Sequence, residues 1–394
     1  MKILIITPYF EPAWAYGGPP KVLSDLSKYL IKKGHQVTVY TTDVLDKNSR
    51  QKEFFKNIEG VKVLFFKNMS NRIAYKYKVF APLGLEKAIK NNIEDFDIVF
   101  LSDARTYLNK IALTYLLKHR IPYIHLAYGS LPIVGTFFKK LLKRIYDLNI
   151  MNELLFNASA LIAQTNHEVN EYLKFGAIKD NIKLIPLATG INLSKYSSEQ
   201  NKRVCSKWGI GEKDILIVSV GRINKLKISN IMLDVISEII NKNNKVKWVL
   251  IGRDDGYLNH INTFINKNNL CKNFIFTGPQ YGDDKFQILK RASCFFLAPS
   301  HFEETSTASL EALAVGTPCV VSEQCEIPFL EEYGAGKVVK YDKTLLVKAI
   351  IDVTSSSKSH YEHNCQQLIK SKLSWEAVGS MFHKLLLNIK TMRK

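Results

Sequence analysis

Acidic residues are scarce in this chain: 36 Asp and Glu stand against 55 Lys and Arg, a formal charge of +19 over 394 residues. That imbalance calls for an anionic partner, whether nucleic acid, a membrane surface or a phosphorylated ligand. No apolar run approaches the roughly 20 residues a membrane-spanning helix requires. The opening stretch Met1–Ile6 is too short for a signal peptide, runs into Pro8 and Glu11 without a small-residue cleavage site, and reads as a buried strand. Cys205, Cys271, Cys294, Cys319, Cys325 and Cys365 include no Cys-x-x-Cys pair and no neighbouring histidine cluster, so they read as reduced residues of a cytoplasmic protein's core. A Gly-x-Gly-x-x-Gly fingerprint is missing too, which counts against a dinucleotide-dependent dehydrogenase. Repeats of solenoid length and long low-complexity tracts are also missing. What is present is a hydrophobic share of 46%, which excludes disorder, and a length that suits two domains rather than one core.

Short apolar runs alternate with amphipathic stretches. Ile3 to Ile6, Val37 to Tyr40, Ile98 to Leu101, Tyr123 to Leu126 and Ala160 to Ala163 read as strands separated by helices, the pattern of a parallel α/β sheet. A polar segment containing Ser194, Ser197, Ser198, Gln200 and Asn201 interrupts the series. It restarts at Ile215 to Val220 and continues through Trp248 to Ile251, Phe274 to Phe276, Cys294 to Leu297 and Cys319 to Val321. Domains of 1–195 and 196–374 are therefore expected, with a helical tail following.

The densest chemistry lies in residues 299–318, where Glu303 and Glu311 flank the start of a helix that follows the strand Cys294 to Leu297. Thr305, Ser306 and Thr307 are suitable cap residues, and a helix N-terminus beyond a strand's carboxyl end favours phosphate. Arg222 and Lys227, at the end of Ile215 to Val220, supply fixed positive charge. In a lysine-rich chain the plain reading of that pair is a solvated turn. Gly17 and Gly18 lie between the first strand and first helix, where paired glycines ordinarily make a turn. Asp95-Phe96-Asp97 has metal-binding spacing, but it abuts a strand and no further ligand clusters with it, so a turn is expected and no metal site. Phe137 to Tyr146 is a basic amphipathic helix, suited either to an anionic bilayer or to covering its own domain. Lys76 and Lys78, among Tyr75, Tyr77 and Phe80, could extend the same face.

The carboxylate pair resembles the Glu-x7-Glu element of retaining glycosyltransferases of the GT-B fold, family 4. Further segments carry the resemblance: Thr7-Pro8-Tyr9 with Gly17-Gly18-Pro19, Gly221-Arg222 with Lys227, Val249 to Gly252, Phe276-Thr277-Gly278 and Leu373-Ser374-Trp375-Glu376. It implies two Rossmann-like domains facing a central cleft, the donor held mainly by the second domain and the acceptor by the first. Residues 375–394 would form a helix crossing back to the first domain. It further implies transfer of a sugar from a nucleotide-diphosphate sugar to a glycan or lipid-linked acceptor, with retention and without metal or other cofactor. By the same resemblance Glu303 contacts the transferred sugar, Arg222 and Lys227 the diphosphate, Glu311 the ribose, and Gly17, Gly18, Tyr128, Thr305, Ser306 and Thr307 complete the donor site. Surface polysaccharide or glycoconjugate assembly is the implied setting, in the cytoplasm or on the inner face of the membrane through Phe137 to Tyr146.

Three stretches depart from the family pattern. Ile228 replaces the usual glycine after the lysine, Glu304-Thr305-Ser306 replaces Gly-Phe-Gly, and Tyr128 stands where a histidine is common. Glu304 reads as an ordinary acid, and His125 as structural. An epimerase or hydrolase of the same fold is the alternative within the architecture. A basic nucleic-acid-binding protein is the alternative outside it, but no recognised module supports a nucleic-acid partner.

Overall fold

In the computed structural model, residues 1–133, 137–191, 204–280 and 282–392 are described, without the side chains of 137–140, 142 and 392. The chain forms two compact units, one of Met1–Ala188 with Trp375–Lys394, the other of Thr189–Ser374. The boundary expected at residue 195 lies outside the described residues.

The first unit is built on eight strands: β1 (Lys2–Ile6), β2 (Gln36–Thr42), β3 (Phe55–Ile58), β4 (Val61–Phe66), β5 (Ile98–Ser102), β6 (Tyr123–Leu126), β7 (Ala160–Ala163) and β8 (Ile182–Leu184). Their order is β3-β4-β2-β1-β5-β6-β7-β8, all parallel except β3, which pairs antiparallel with β4. β1, β5, β6 and β7 are buried along their whole length apart from Lys2, because helices cover both faces of a parallel sheet. The helix Trp375–Met392 belongs to this unit. It packs on the helix Gly18–Lys32 at Gly379, where an added Cβ would lie 2.5 Å from the Tyr29 ring. His383 Nδ1 and His35 Nε2 meet at 2.9 Å on the same face.

The second unit holds β9 (Ile215–Val220), β10 (Val246–Ile251), β11 (Phe274–Gly278), β12 (Cys294–Leu297), β13 (Cys319–Ser322) and β14 (Gly336–Val339). Their order is β11-β10-β9-β12-β13-β14, parallel throughout. Fully buried Trp248 donates its indole N–H to Ser219 Oγ at 3.1 Å, and that hydroxyl donates to the Phe296 carbonyl at 2.7 Å. One polar chain thus ties β10, β9 and β12 together through an otherwise apolar core.

Candidate active site

Parallel sheets expose their loops, helix N-termini and ligand sites at the carboxyl ends of the strands. In the second unit β9, β12 and β13 are neighbours, so the loops after them converge. After β9 the chain turns at Gly221. Asn224 Oδ1 then accepts the backbone N–H groups of Leu226 and Lys227 at 3.1 and 3.0 Å. The loop after β12 is tied to this turn by the Ser300 N–H, which donates to the Leu226 carbonyl at 2.8 Å. It is tied on its other side to the loop after β13: the Glu303 N–H donates to the Gln324 carbonyl at 2.7 Å and the Thr305 hydroxyl to the Glu326 carbonyl at 2.8 Å.

These bonds bring Lys227 Nζ to 2.5 Å from Glu303 Oε1, across 76 residues of sequence. The lysine stem lies directly over Gly221, where an added Cβ would sit 2.3 Å from Lys227 Cε. Gly252, at the end of β10, is needed for an adjacent reason: a Cβ there would fall 1.7 Å from the Gly221 carbonyl oxygen. Ile228, where the family pattern has glycine, is fully buried and donates its N–H to the Asn224 carbonyl at 2.9 Å, so it serves as a core anchor for the lysine turn. Glu304 is buried rather than an ordinary exposed acid. Burial and the nearby Glu303 carboxylate push the Cys325 thiol up to about 12, so it stays protonated beneath the pair.

The helix Thr307–Ala314 begins just beyond, after Ser306, and no side chain caps its N-terminus. Thr305 and Ser306 are buried, which leaves the first turn's backbone N–H groups as the positive feature of that end. Glu311 is not joined to Glu303. Both its oxygens accept from Lys285 Nζ, at 2.9 and 2.8 Å, in a pair that is nearly buried. Arg222 reaches the other way, 3.4 Å from Asp255 Oδ2, and its side chain is 61% exposed.

In the first unit, Gly17 has φ +100° and opens directly into the helix Gly18–Lys32, a backbone conformation that favours glycine. After β6, Tyr128 and Gly129 both adopt positive φ, 49° and 72°. The Gly129 N–H donates to Glu168 Oε1 at 2.7 Å, and the other oxygen takes the Gln164 N–H at 2.8 Å, which fixes this loop to the one after β7. His125 is structural: Nε2 donates to the Asp103 carbonyl and Nδ1 accepts from the Tyr172 hydroxyl, each at 3.0 Å. Burial holds its imidazole down at about 4, so it is neutral. Of the Asp95-Phe96-Asp97 segment, Asp95 ends a short 3-10 helix, and Asp97 pins the start of β1 to that of β5 by accepting the Lys2 N–H at 2.7 Å.

Two residues escaped the sequence reading. Lys285 carries no motif, and its helix Asp283–Arg291 reads as an ordinary amphipathic element. Asp103 had a legible signal, a carboxylate immediately beyond the apolar strand β5. Burial raises its carboxyl to about 6, opposed in part by a hydrogen bond from Tyr9 and by the Lys78 charge.

Comparison with known proteins fits this architecture. Residues 16–195 match Glycosyltransferase Family 4, and residues 201–371 match Glycosyl transferases group 1. The chain belongs to these glycosyltransferases. The alpha-monoglucosyldiacylglycerol synthase of Streptococcus pneumoniae is 25% identical over 98% of this chain and 86% of its own length. An uncharacterised glycosyltransferase of Methanocaldococcus jannaschii is 23% identical over 96% of each chain. Among solved structures, HepE of Anabaena, in complex with UDP and glucose, superposes with a TM-score of 0.75 at 15% identity, covering 98% of this chain and all of that one. The fold is therefore GT-B, and the protein is an enzyme that transfers a sugar.

Proposed function

We propose that this glycosyltransferase takes its sugar from a nucleotide-diphosphate donor held by the second unit. It passes the sugar, with retention, to a hydroxyl of a glycan or lipid-linked acceptor held by the first. The observation that carries the reading is the Lys227–Glu303 pair at the mouth of an uncapped helix. A departing diphosphate needs fixed positive charge, which Lys227, Arg222 and the N-terminus of Thr307–Ala314 supply. When the diphosphate takes the lysine, Glu303 is released to accept hydrogen bonds from the sugar hydroxyls. Glu311 reads the ribose diol.

UDP-glucose is the donor to try first, since HepE has also been solved with UDP-glucose and the pneumococcal relative is named for a glucosylated diacylglycerol. A lipid acceptor is supported further by the helix Phe137–Tyr146 and the turn after it. Leu141, Ile145 and Leu148, at i, i+4 and i+7, are 45%, 50% and 80% exposed, so this stripe is not buried in its own unit. Beside it lie Lys143 and Arg144, a composition suited to an anionic bilayer. Among the described residues no helix is long and apolar enough to cross a membrane. Peripheral docking on the cytoplasmic leaflet is the corresponding reading.

The test is release of nucleotide diphosphate from UDP-, GDP- and ADP-sugars, with and without a lipid extract, by the native chain and by Glu303→Ala. Release from one donor that depends on the extract and disappears in the variant is expected. Release that ignores the extract would favour a hydrolase. Near-normal transfer by the variant would overturn the assignment of Glu303.

A further inference from the structure

Three side-chain polar atoms at the carboxyl edge of the first unit are buried without a hydrogen-bonding partner among the described residues: Asp103 Oδ2, Tyr128 OH and Tyr16 OH. Asp103 follows β5 and Tyr128 follows β6, and these strands are neighbours. Tyr9 follows β1 on the other side of β5, bonds to the Asp103 carboxylate and stacks on Tyr16 at 5.0 Å. Asp103 and Tyr128 both hold positive φ, 62° and 49°, a conformation that side chains with a Cβ adopt at a cost and that concentrates at functional sites. Their backbones are nevertheless firmly held. The Asp103 N–H donates to the Leu126 carbonyl at 2.9 Å, and its carbonyl accepts from Asn109 Nδ2 at 2.6 Å and His125 Nε2 at 3.0 Å. The loop of Tyr128 is held through Gly129 and Glu168. The fold therefore fixes two strained residues and leaves their polar tips unsatisfied, an arrangement that costs stability unless a ligand completes it.

We infer that Asp103 and the Tyr128 hydroxyl form a hydroxyl-binding subsite that orients the acceptor alcohol, a reading that rests on the transferase function proposed above. The charges around it select the ligand class. Tyr9, Tyr16 and Tyr128 are neutral phenols, each held in that form chiefly by burial, and both Glu168 oxygens are already bonded to backbone N–H groups. Lys78 lies over the Tyr16 ring, 4.3 Å from its centroid. Above about pH 6 the Asp103 carboxyl is ionised and can only accept hydrogen bonds. An ionised carboxylate beside phenols repels a phosphate or carboxylate ligand and attracts an O–H donor. A polyol fits, whether a sugar ring or the free hydroxyl of a glycerolipid.

Asp103→Asn and Tyr128→Phe keep size and shape. With the donor identified by the panel, transfer is measured to a free sugar and to diacylglycerol in vesicles, alongside nucleotide diphosphate affinity and the thermal midpoint at pH 7.5. Asp103→Asn should keep nucleotide affinity within about twofold while its acceptor KM rises between about 10- and 100-fold, on the scale of one charged hydrogen bond. Its midpoint should rise, because a buried carboxylate is removed. Tyr128→Phe should raise acceptor KM by a smaller factor in the same direction. The acceptor whose KM moves names the source of the hydroxyl. A raised midpoint with unchanged acceptor KM would make Asp103 a merely buried acid and overturn the inference, and so would a nucleotide affinity that falls with transfer. Donor hydrolysis without transfer by the native chain would instead sink the transferase reading, and it is seen before any variant is made.

Discussion

At the carboxyl edge of the second unit, Glu303 and Glu311 are each neutralised by a lysine, whereas at the same edge of the first unit Asp103 stands among tyrosines. The sheets share one parallel logic, so topology does not explain the difference. Ligand charge does. A site awaiting a diphosphate can hold its cations in readiness on its own carboxylates and exchange partners when the anion arrives. A site awaiting a neutral hydroxyl has no such stand-in, and its polar groups wait unsatisfied.

The contrast breaks most directly in the second unit. Gly252→Ala should have the largest effect on folding, because its Cβ would meet rigid backbone at 1.7 Å. Loss of several kcal/mol, on the order of the severe end for point changes, is expected in a denaturant titration. Lys227→Ala and Glu303→Ala come next: each should lower turnover about 100-fold or more with little change in thermal midpoint. Because the two are in contact, the double variant should fall well short of the sum of the singles. Additive losses would mean that the pair does not act as one unit.

Acid should separate the units more gently. Burial holds His35 and His125 down at about 4 from a usual 6.5. Their neutral forms stabilise the first unit fully above pH 6.5, and that stability is lost as pH falls through 4. Asp103 acts in the opposite sense: its protonated form is favoured in the fold, so its contribution is full below 3.8 and is lost as pH rises through about 6. Thermal midpoints across this range should therefore fall with acid more steeply in Asp103→Asn than in the native chain. A parallel pair of curves would show that Asp103 titrates as an ordinary surface acid. The smallest effect expected is on membranes, where Leu148→Ser should weaken binding to anionic vesicles about tenfold, the worth of one leucine's burial.

Much of this architecture was legible beforehand. Runs such as Ala160 to Ala163 and Ile98 to Leu101 are apolar throughout because both faces of a parallel strand are covered, and periodicity reports that state directly. The hairpin of β3 and β4, and the short strands β8 and β14, escaped notice because Phe55–Ile58, Ile182–Leu184 and Gly336–Val339 are half-exposed and owe their conformation to a neighbour. At the site, spacing suggested which residue types matter but not their partners. Arg222 and Lys227 are five positions apart, yet one turns to Asp255 and the other to Glu303. Asp103 offered one signal, its place just beyond an apolar strand, but what marks it in the fold is a missing bond, and a sequence does not display missing bonds.

Because the second unit is inserted between the two pieces of the first, the sheet that begins at Lys2 is covered by the 18 residues of the helix Trp375–Met392, synthesised only after the whole second unit. Until they emerge, the groove that takes Gly379, Phe382 and His383 beside Tyr29, Phe100 and His35 stays open on the nascent chain. The second unit has no such dependence. Its ends at Thr189 and Ser374 already lie side by side as a β-bridge, with the Thr189 N–H donating to the Leu373 carbonyl at 2.9 Å. Maturation should thus run against the order of the sequence, the second unit folding first and the amino-terminal unit completing itself around a strut that follows it.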